Sequence, residues 1–166
     1  MDILLERKSV RNYTQEEVKE EDLNYILRAA MSAPTARNTR CLSFIVIKDK
    51  ETHKKIAAVH AAAQMILEAP LAVLVVGDAN LVYDNYMPQD CAAATENMLL
   101  AAVAKGYGAV WCGIYDNKER QEAIEKIFEL PSNIKAFSLV VMGKSADNRP
   151  AKNGWDPSKI KYEKWK

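Results

Sequence analysis

Histidine and cysteine are scarce in this chain: two histidines, His53 and His60, and three cysteines, Cys41, Cys91 and Cys112. Neither histidine has a cysteine beside it, so a zinc site finds no ligand set. The cysteines are odd in number and widely spaced, with no C-x-x-C pair. That pattern reads as reduced thiols in a cytoplasm, not as a disulfide framework. No stretch approaches the ~20 apolar residues of a membrane span. The opening "MDILLERK" lacks a basic segment followed by a long apolar run, so it does not read as a secretory signal. The net charge is +1, which gives no overall field for nucleic acid. Familiar catalytic motifs are missing too: no G-x-S-x-G, no H-E-x-x-H and no P-loop. "GYGAVWCG" has glycines but not the G-x-G-x-x-G order at a strand-to-helix turn. Carboxylate pairs such as Glu16 and Glu17 fall on solvated faces. Either the protein is not an enzyme, or a cofactor does its chemistry.

What is present amounts to one domain, residues 1–166, with 49% hydrophobic residues to fill a core. "TQEE" at 14–17 reads as a capping box, followed by Leu23, Ile26, Leu27, Ala30 and Met31 at helical spacing. That helix is expected to stop before Pro34. "CLSFIVI" (41–47) reads as a strand, and "KETHKKIAAVHAAAQMILEA" as helix in one or two pieces. "LAVLVVG" (71–77) reads as a buried strand. "QDCAAATENMLLAAVAK" (89–105) is apolar on nearly every side, as a buried helix is, and in so small a domain a second subunit often covers part of it. "YGAVWCGIY" (107–115) predicts a strand, "NKERQEAIEKIFEL" an amphipathic helix capped by Asn117, and "KAFSLVVMG" (135–143) the last core strand. The remainder, 144–166, carries a charge of +4 and exposes Trp155, Tyr162 and Trp165 unless it packs on something. A partner subunit is the candidate. Helices interleaved with about four strands predict an α+β or three-layer domain.

Three stretches bear on chemistry. In "ERKSVRNY" (6–13), Arg7, Lys8 and Arg11 bracket the hydroxyl of Ser9. Forked guanidiniums, a point charge and a hydroxyl suit a phosphate. In "SAPTARNTR" (32–40), Thr35 and Asn38 can hydrogen-bond a flat heteroaromatic edge. In "GAVWCG" (108–113), Gly108 and Gly113 leave backbone open near a strand end. Each has an ordinary reading when taken alone: a basic surface turn, a plain loop, and tight helix–sheet packing.

Together and in this order, the three stretches resemble the nitroreductase-like family of FMN-dependent flavoproteins. The likeness runs nearly end to end, from "ERKSVRNY" through "APTARN", "LEAPLAVLVVGD", "DCAAATENMLLAAVAKGYGAVWCGIY" and "VVMGK" to "WDPSKIKYEKW". The resemblance implies an α+β fold, a three-layer α/β/α sandwich around a mainly antiparallel sheet of four to five strands. It implies an obligate homodimer with FMN at the interface and a C-terminal segment, 144–166, packed on the partner. Carried over, Arg7, Lys8, Ser9 and Arg11 bind the FMN phosphate. Pro34, Thr35 and Asn38 lie against the flavin of the other subunit. Cys112 and Gly113 offer backbone to the flavin N5 region. Two departures stand out. Gly154 replaces an arginine that relatives often carry before the tail aromatic, which leaves Lys152 as the cation to reach the phosphate. "TRCLSF" replaces a glutamine–proline–tryptophan run, so Arg40 is either at the flavin edge, favouring an anionic flavin or substrate, or facing solvent.

The activity so implied is an FMN-dependent NAD(P)H oxidoreductase. NADH or NADPH gives a hydride to flavin N5 in a ping-pong cycle. A small electron-poor acceptor, such as a nitroaromatic or quinone, then takes the electrons. The family's scheme needs no catalytic side chain and no metal. The alternatives are a non-catalytic flavin binder, or a specialised relative such as a reductive dehalogenase or enone reductase. Such relatives differ in the lid over the flavin, for which Tyr83, Tyr86 and Met87 are candidates.

Overall fold

The structure is a computed structural model that describes residues 2–152 and 154–165. Four strands build one antiparallel sheet in the order β1-β2-β4-β3: β1 (Leu42–Ile47), β2 (Leu71–Asp78), β3 (Gly108–Gly113) and β4 (Ile134–Gly143). The two longest apolar runs take the centre, where both faces of a strand are covered. Alternation sorts their side chains. Ala72, Leu74 and Val76 of β2 face one core, while Leu71, Val73 and Val75 face the other. The first core is closed by α3 (Lys50–Val59), the short 3-10 segment Ala61–Leu67, and α5 (Lys118–Ile127). The second is closed by α2 (Glu20–Met31) and α4 (Met87–Ala104). The architecture is therefore the expected α+β three-layer sandwich.

Helix α4 is largely buried within the chain. It buries Cys91, Ala94, Thr95, Met98, Leu99, Ala101 and Ala102, and only Gln89 and Ala104 are exposed. The helical stretch after residue 48 is indeed divided, with His60 ending α3 and opening the 3-10 segment. Asn117 caps α5 as its sequence predicts, accepting from the Arg120 N–H at 3.0 Å.

The capping box at 14–17 does not form. Helix α2 begins at Glu20 instead, with no side-chain cap. Val18 is buried in the second core, and bringing it there keeps the preceding chain extended. The Thr14 hydroxyl accepts from the Glu16 N–H at 3.3 Å, a local turn that leads nowhere. Glu20, Glu21 and Asp22 then sit in the first turn, where the helix dipole favours negative charge.

His53 and His60 are both fully enclosed. Burial pushes both imidazoles below the ordinary value of 6.5, and the Arg120 charge adds to the effect at His60. The unfolded chain therefore binds more protons than the folded one just below that pH. Stability should be intact above about 6.5 and fall as the pH drops through it. Urea melts between neutral and mildly acidic pH check this. Their slope should flatten when both histidines are replaced by glutamine.

Candidate functional site

The first site is built where the two ends of the domain meet. A single helical turn, α1 (Ile3–Glu6), is capped by Asp2 and ends at Arg7. The chain then runs extended against the edge of β3. Val10 donates its N–H to the Ala109 carbonyl at 3.0 Å, and Ser9 bridges to Ala109. Val10 is buried, so the alternation of an extended chain turns Ser9 and Arg11 outward. The segment after β4 returns beside them. Tyr13 bridges to Ser145, Thr14 N–H reaches the Lys144 carbonyl at 2.9 Å, and Ala146 N–H reaches the Asn12 carbonyl at 3.0 Å.

This pairing brings Arg7, Lys8, Ser9 and Arg11 to one pocket with Asp147, Arg149, Pro150 and Lys152, about 360 Å³ in volume. Four of the site residues named from the opening motif, and Lys152 from the tail, thus share one cavity. Five cations face a single carboxylate. Arg149 holds the Asp147 carboxyl down at about 2, so that acid stays ionised and engaged. Lys8 Nζ donates to the carbonyls of Asp147 (3.2 Å) and Arg149. Arg7 meets Glu96 only loosely, Nε to Oε1 at 3.5 Å. The remaining positive charge points to an anionic occupant. Sequence reasoning missed Arg149. Its signal would have been the pairing of residues 12–14 with 144–146, which no local motif shows.

Pro34, Thr35 and Asn38 line a different pocket, about 560 Å³, with Arg40 at its edge and Met31, Leu42 and Phe44 as apolar wall. The loop that carries them is tightly tied. Asn38 N–H reaches the Thr35 carbonyl (2.9 Å), Arg40 N–H reaches Thr35 Oγ1 (3.0 Å), and Arg40 Nε reaches Asn38 Oδ1 (3.2 Å). Three of its residues are left-handed: Arg37 (φ 52), Asn38 (φ 55) and Arg40 (φ 50). Asparagine tolerates that region, whereas each arginine there costs roughly 1–2 kcal/mol. Something must hold the loop in this state. Asp90, buried in the first turn of α4, accepts the Ala36 N–H at 2.9 Å and faces the Cys41 thiol at 3.6 Å. Asp90 too was missed, although an acid in the first turn of a largely apolar helix is a readable oddity. Replacing Asp90 with alanine leaves the Ala36 N–H unpaired and should cost about 1–3 kcal/mol. Chemical denaturation would measure that loss, and cleavage of the 34–40 loop by a protease should accelerate.

Cys112 and Gly113 end β3 and line neither pocket. Burial pushes the Cys112 thiol up to about 11, although the charges of Arg11 and Arg120 pull the other way. It donates weakly to the Ala62 carbonyl at 3.7 Å and stays protonated at neutral pH, a small apolar filler and not a nucleophile. Gly113 is exposed, and its carbonyl accepts from Arg120 Nη1 at 2.9 Å. Opposite it, the β2–β4 register slips between Val75 and Val76, leaving Phe137 as the extra residue of a bulge. The Phe137 carbonyl takes the N–H groups of Ile114 (3.0 Å) and Tyr115 (2.9 Å), which turns the chain away just past Gly113. The strand is thus two residues shorter than expected at its C-terminal end. Among the lid candidates, Tyr83 and Tyr86 stack at 5.9 Å and are exposed, and the Arg37 guanidinium lies 4.2 Å over Tyr83. Met87 instead packs on β2 beside Gly77.

No nucleophile–base pair emerges from these contacts. Among the described residues, no cluster of histidine, cysteine and carboxylate groups is placed to hold a metal, and no helix is long and apolar enough to cross a membrane. Fold and site define a three-layer α+β protein with a strongly cationic pocket and a second pocket walled by apolar, hydroxyl and amide groups. The nitroreductase family model matches residues 4–86 and 59–144, and the chain belongs to that family. It is 39% identical over 160 residues to a Methanothermobacter thermautotrophicus protein bearing the provisional name NADH dehydrogenase/NAD(P)H nitroreductase, covering 96% of this chain and 84% of the relative. It is 30% identical to the FMN reductase [NAD(P)H] of Bacillus subtilis, over 90% of this chain and 67% of that one. The structure of an FMN-dependent nitroreductase from Clostridium difficile superposes with a TM-score of 0.92 at 25% identity, covering 98% of each chain.

Proposed function

We propose that this protein is an FMN-dependent NAD(P)H oxidoreductase working in a ping-pong cycle, NAD(P)H first and a small electron-poor acceptor second. Family membership makes it an oxidoreductase, and relatives named for NAD(P)H and FMN support the donor and the cofactor. The observation that carries the reading is the convergence of Arg7, Lys8, Ser9, Arg11 and Lys152 on one pocket with a clear excess of positive charge. That donor set fits a phosphate monoester dianion: forked guanidiniums, an ammonium and a hydroxyl, with Arg149 as a further cation. When bound, FMN supplies reversible two-electron chemistry that no side chain here can provide.

The protein's part is to hold and to polarise. Arg7, Lys8 and Ser9 anchor the phosphate, and Arg11 extends the positive field toward the end of β3, where it already acts on Cys112. Cys112 and Gly113 contribute backbone there and no side-chain chemistry. Pro34, Thr35 and Asn38 present a rigid, pre-shaped edge to the flat ring system, held by Asp90 from beneath. They line a pocket separate from the cationic one, which favours a homodimer in which the loop of one subunit closes the site of the other. Trp155, Tyr162 and Trp165, 72%, 84% and 84% exposed in the single chain, favour a tail packed on that partner.

The test is an absorbance spectrum of the purified protein, then anaerobic addition of NADH and of NADPH. Flavin bands that bleach rapidly support the enzyme and name its donor. Absence of flavin after incubation with FMN would return the basic motif to a surface turn. Flavin that stays oxidised with both donors would favour a binding protein.

A further inference from the structure

The second pocket carries a charge that its walls do not need. Arg40 lines it, no acidic residue is among the described residues that line it, and among the described residues Arg40 forms no ion pair. Its backbone N–H is held by Thr35, and its Nε is held by Asn38 at 3.2 Å. The terminal nitrogens of the guanidinium are thereby oriented and not spent on a protein carboxylate. Asp90, the acid under the loop, is already engaged by Ala36 and Cys41. Arg40 also sits in the left-handed region, φ 50, where a β-carbon is disfavoured. Arg40 is exposed, so its guanidinium meets the pocket from the solvent side, and the left-handed backbone with its two loop partners fixes where it stands.

The same pocket is lined by apolar side chains, Met31, Leu42 and Phe44, with Pro34. A second flat body, stacked on the flavin ring that this loop faces, can meet those side chains and turn an anion toward the forked cation. From this arrangement we infer that the acceptor class is anionic, an electron-poor aromatic carrying a carboxylate that Arg40 grips bidentately. The inference rests on the reading of the protein as an NAD(P)H oxidoreductase and adds the selectivity of its second half-reaction. For a nitroarene carboxylate the balance is simple. NAD(P)H and one proton reduce the nitro group to nitroso, release one water and leave NAD(P)⁺, while the carboxylate is unchanged and serves only as the handle.

The matched probes are benzoate and benzamide, equal in shape and different in charge. Calorimetric titration into the FMN-loaded protein should show benzoate binding more tightly. Arg40→Gln should lower benzoate affinity about ten-fold or more, the scale of a charge-assisted hydrogen bond, and change benzamide little. Arg40→Lys should recover part of the preference, because it keeps the charge and loses the fork. The same ordering should appear in kcat/KM for 4-nitrobenzoate against 4-nitrobenzamide. Equal binding of both probes by the wild type would overturn the inference. So would an Arg40→Gln variant that loses both probes equally, or one that slows the bleaching of flavin by NAD(P)H as much as acceptor turnover, since the charge would then act on the cofactor. These failures leave the oxidoreductase reading standing if flavin still bleaches with NAD(P)H. A protein with no reducible flavin would remove both.

Discussion

Replacing Arg7 with alanine is expected to weaken FMN binding about 10- to 150-fold, the loss of one hydrogen bond to a charged group. The estimate follows from how little else Arg7 does. Among the described residues the ion pair of Arg7 is with Glu96 at 3.5 Å, a half-exposed contact that a phosphate would readily outcompete. Removing the guanidinium also leaves the Glu96 carboxylate near the pocket without its cation, which adds repulsion to the lost attraction. Lys8→Ala differs in kind. Lys8 Nζ ties the carbonyls of Asp147 and Arg149, so its loss loosens the tail wall as well as the charge. Ser9→Ala should cost the least of the three. Fluorescence titration of FMN into the apoprotein ranks them, and full affinity in Arg7→Ala would remove Arg7 from the phosphate site.

The second large effect lies one layer below that pocket, at Gly108. Gly108→Ala is expected to destabilise the fold by about 1–3 kcal/mol and to weaken FMN binding with it. A β-carbon there would stand 2.7 Å from three carbons of Val10, closer than atoms can approach. Val10 cannot turn aside. It is β-branched with one comfortable rotamer, its N–H is bonded to Ala109, and its carbonyl takes the Tyr13 hydroxyl at 2.6 Å. The segment must therefore shift as a unit, carrying Ser9 and Arg11 out of register with the tail cations. Gly113→Ala makes the control for stability, because a β-carbon there meets nothing within 4 Å. Urea melts should place it within ±0.5 kcal/mol of the wild type. Adding Val10→Ala to Gly108→Ala should restore part of the loss. Costs that simply add would show that the two residues are not in conflict.

How much of this was legible in the sequence depends on range. β2 and β4 announce themselves as unbroken apolar runs because both of their faces are covered, and α4 does so because nearly all of its sides are. Asn117 was readable because its cap acts three residues away. Arg7, Lys8, Ser9 and Arg11 were readable because four ligand-type side chains fall within five residues. Failures occurred wherever a distant contact overruled a local rule. Burial of Val18 cancelled the capping box. The bulge at Phe137 cut β3 short. Arg149 and Asp90 enter their sites only through pairings between residues far apart in the chain, which single-segment patterns do not contain.

The three tryptophans are divided in a way that is useful to a spectroscopist. Trp111 sits half-buried on β3 beside Phe137, with ring centroids 5.7 Å apart, and reports on the sheet. Trp155 and Trp165 both belong to the tail and are 72% and 84% exposed in the isolated chain. Intrinsic emission is therefore weighted toward one segment. If that segment docks on a second copy, dilution should move the emission to longer wavelength while far-UV circular dichroism stays unchanged. The chain would thus carry its own optical gauge of subunit exchange, without a label, and Trp111 would remain as the internal reference.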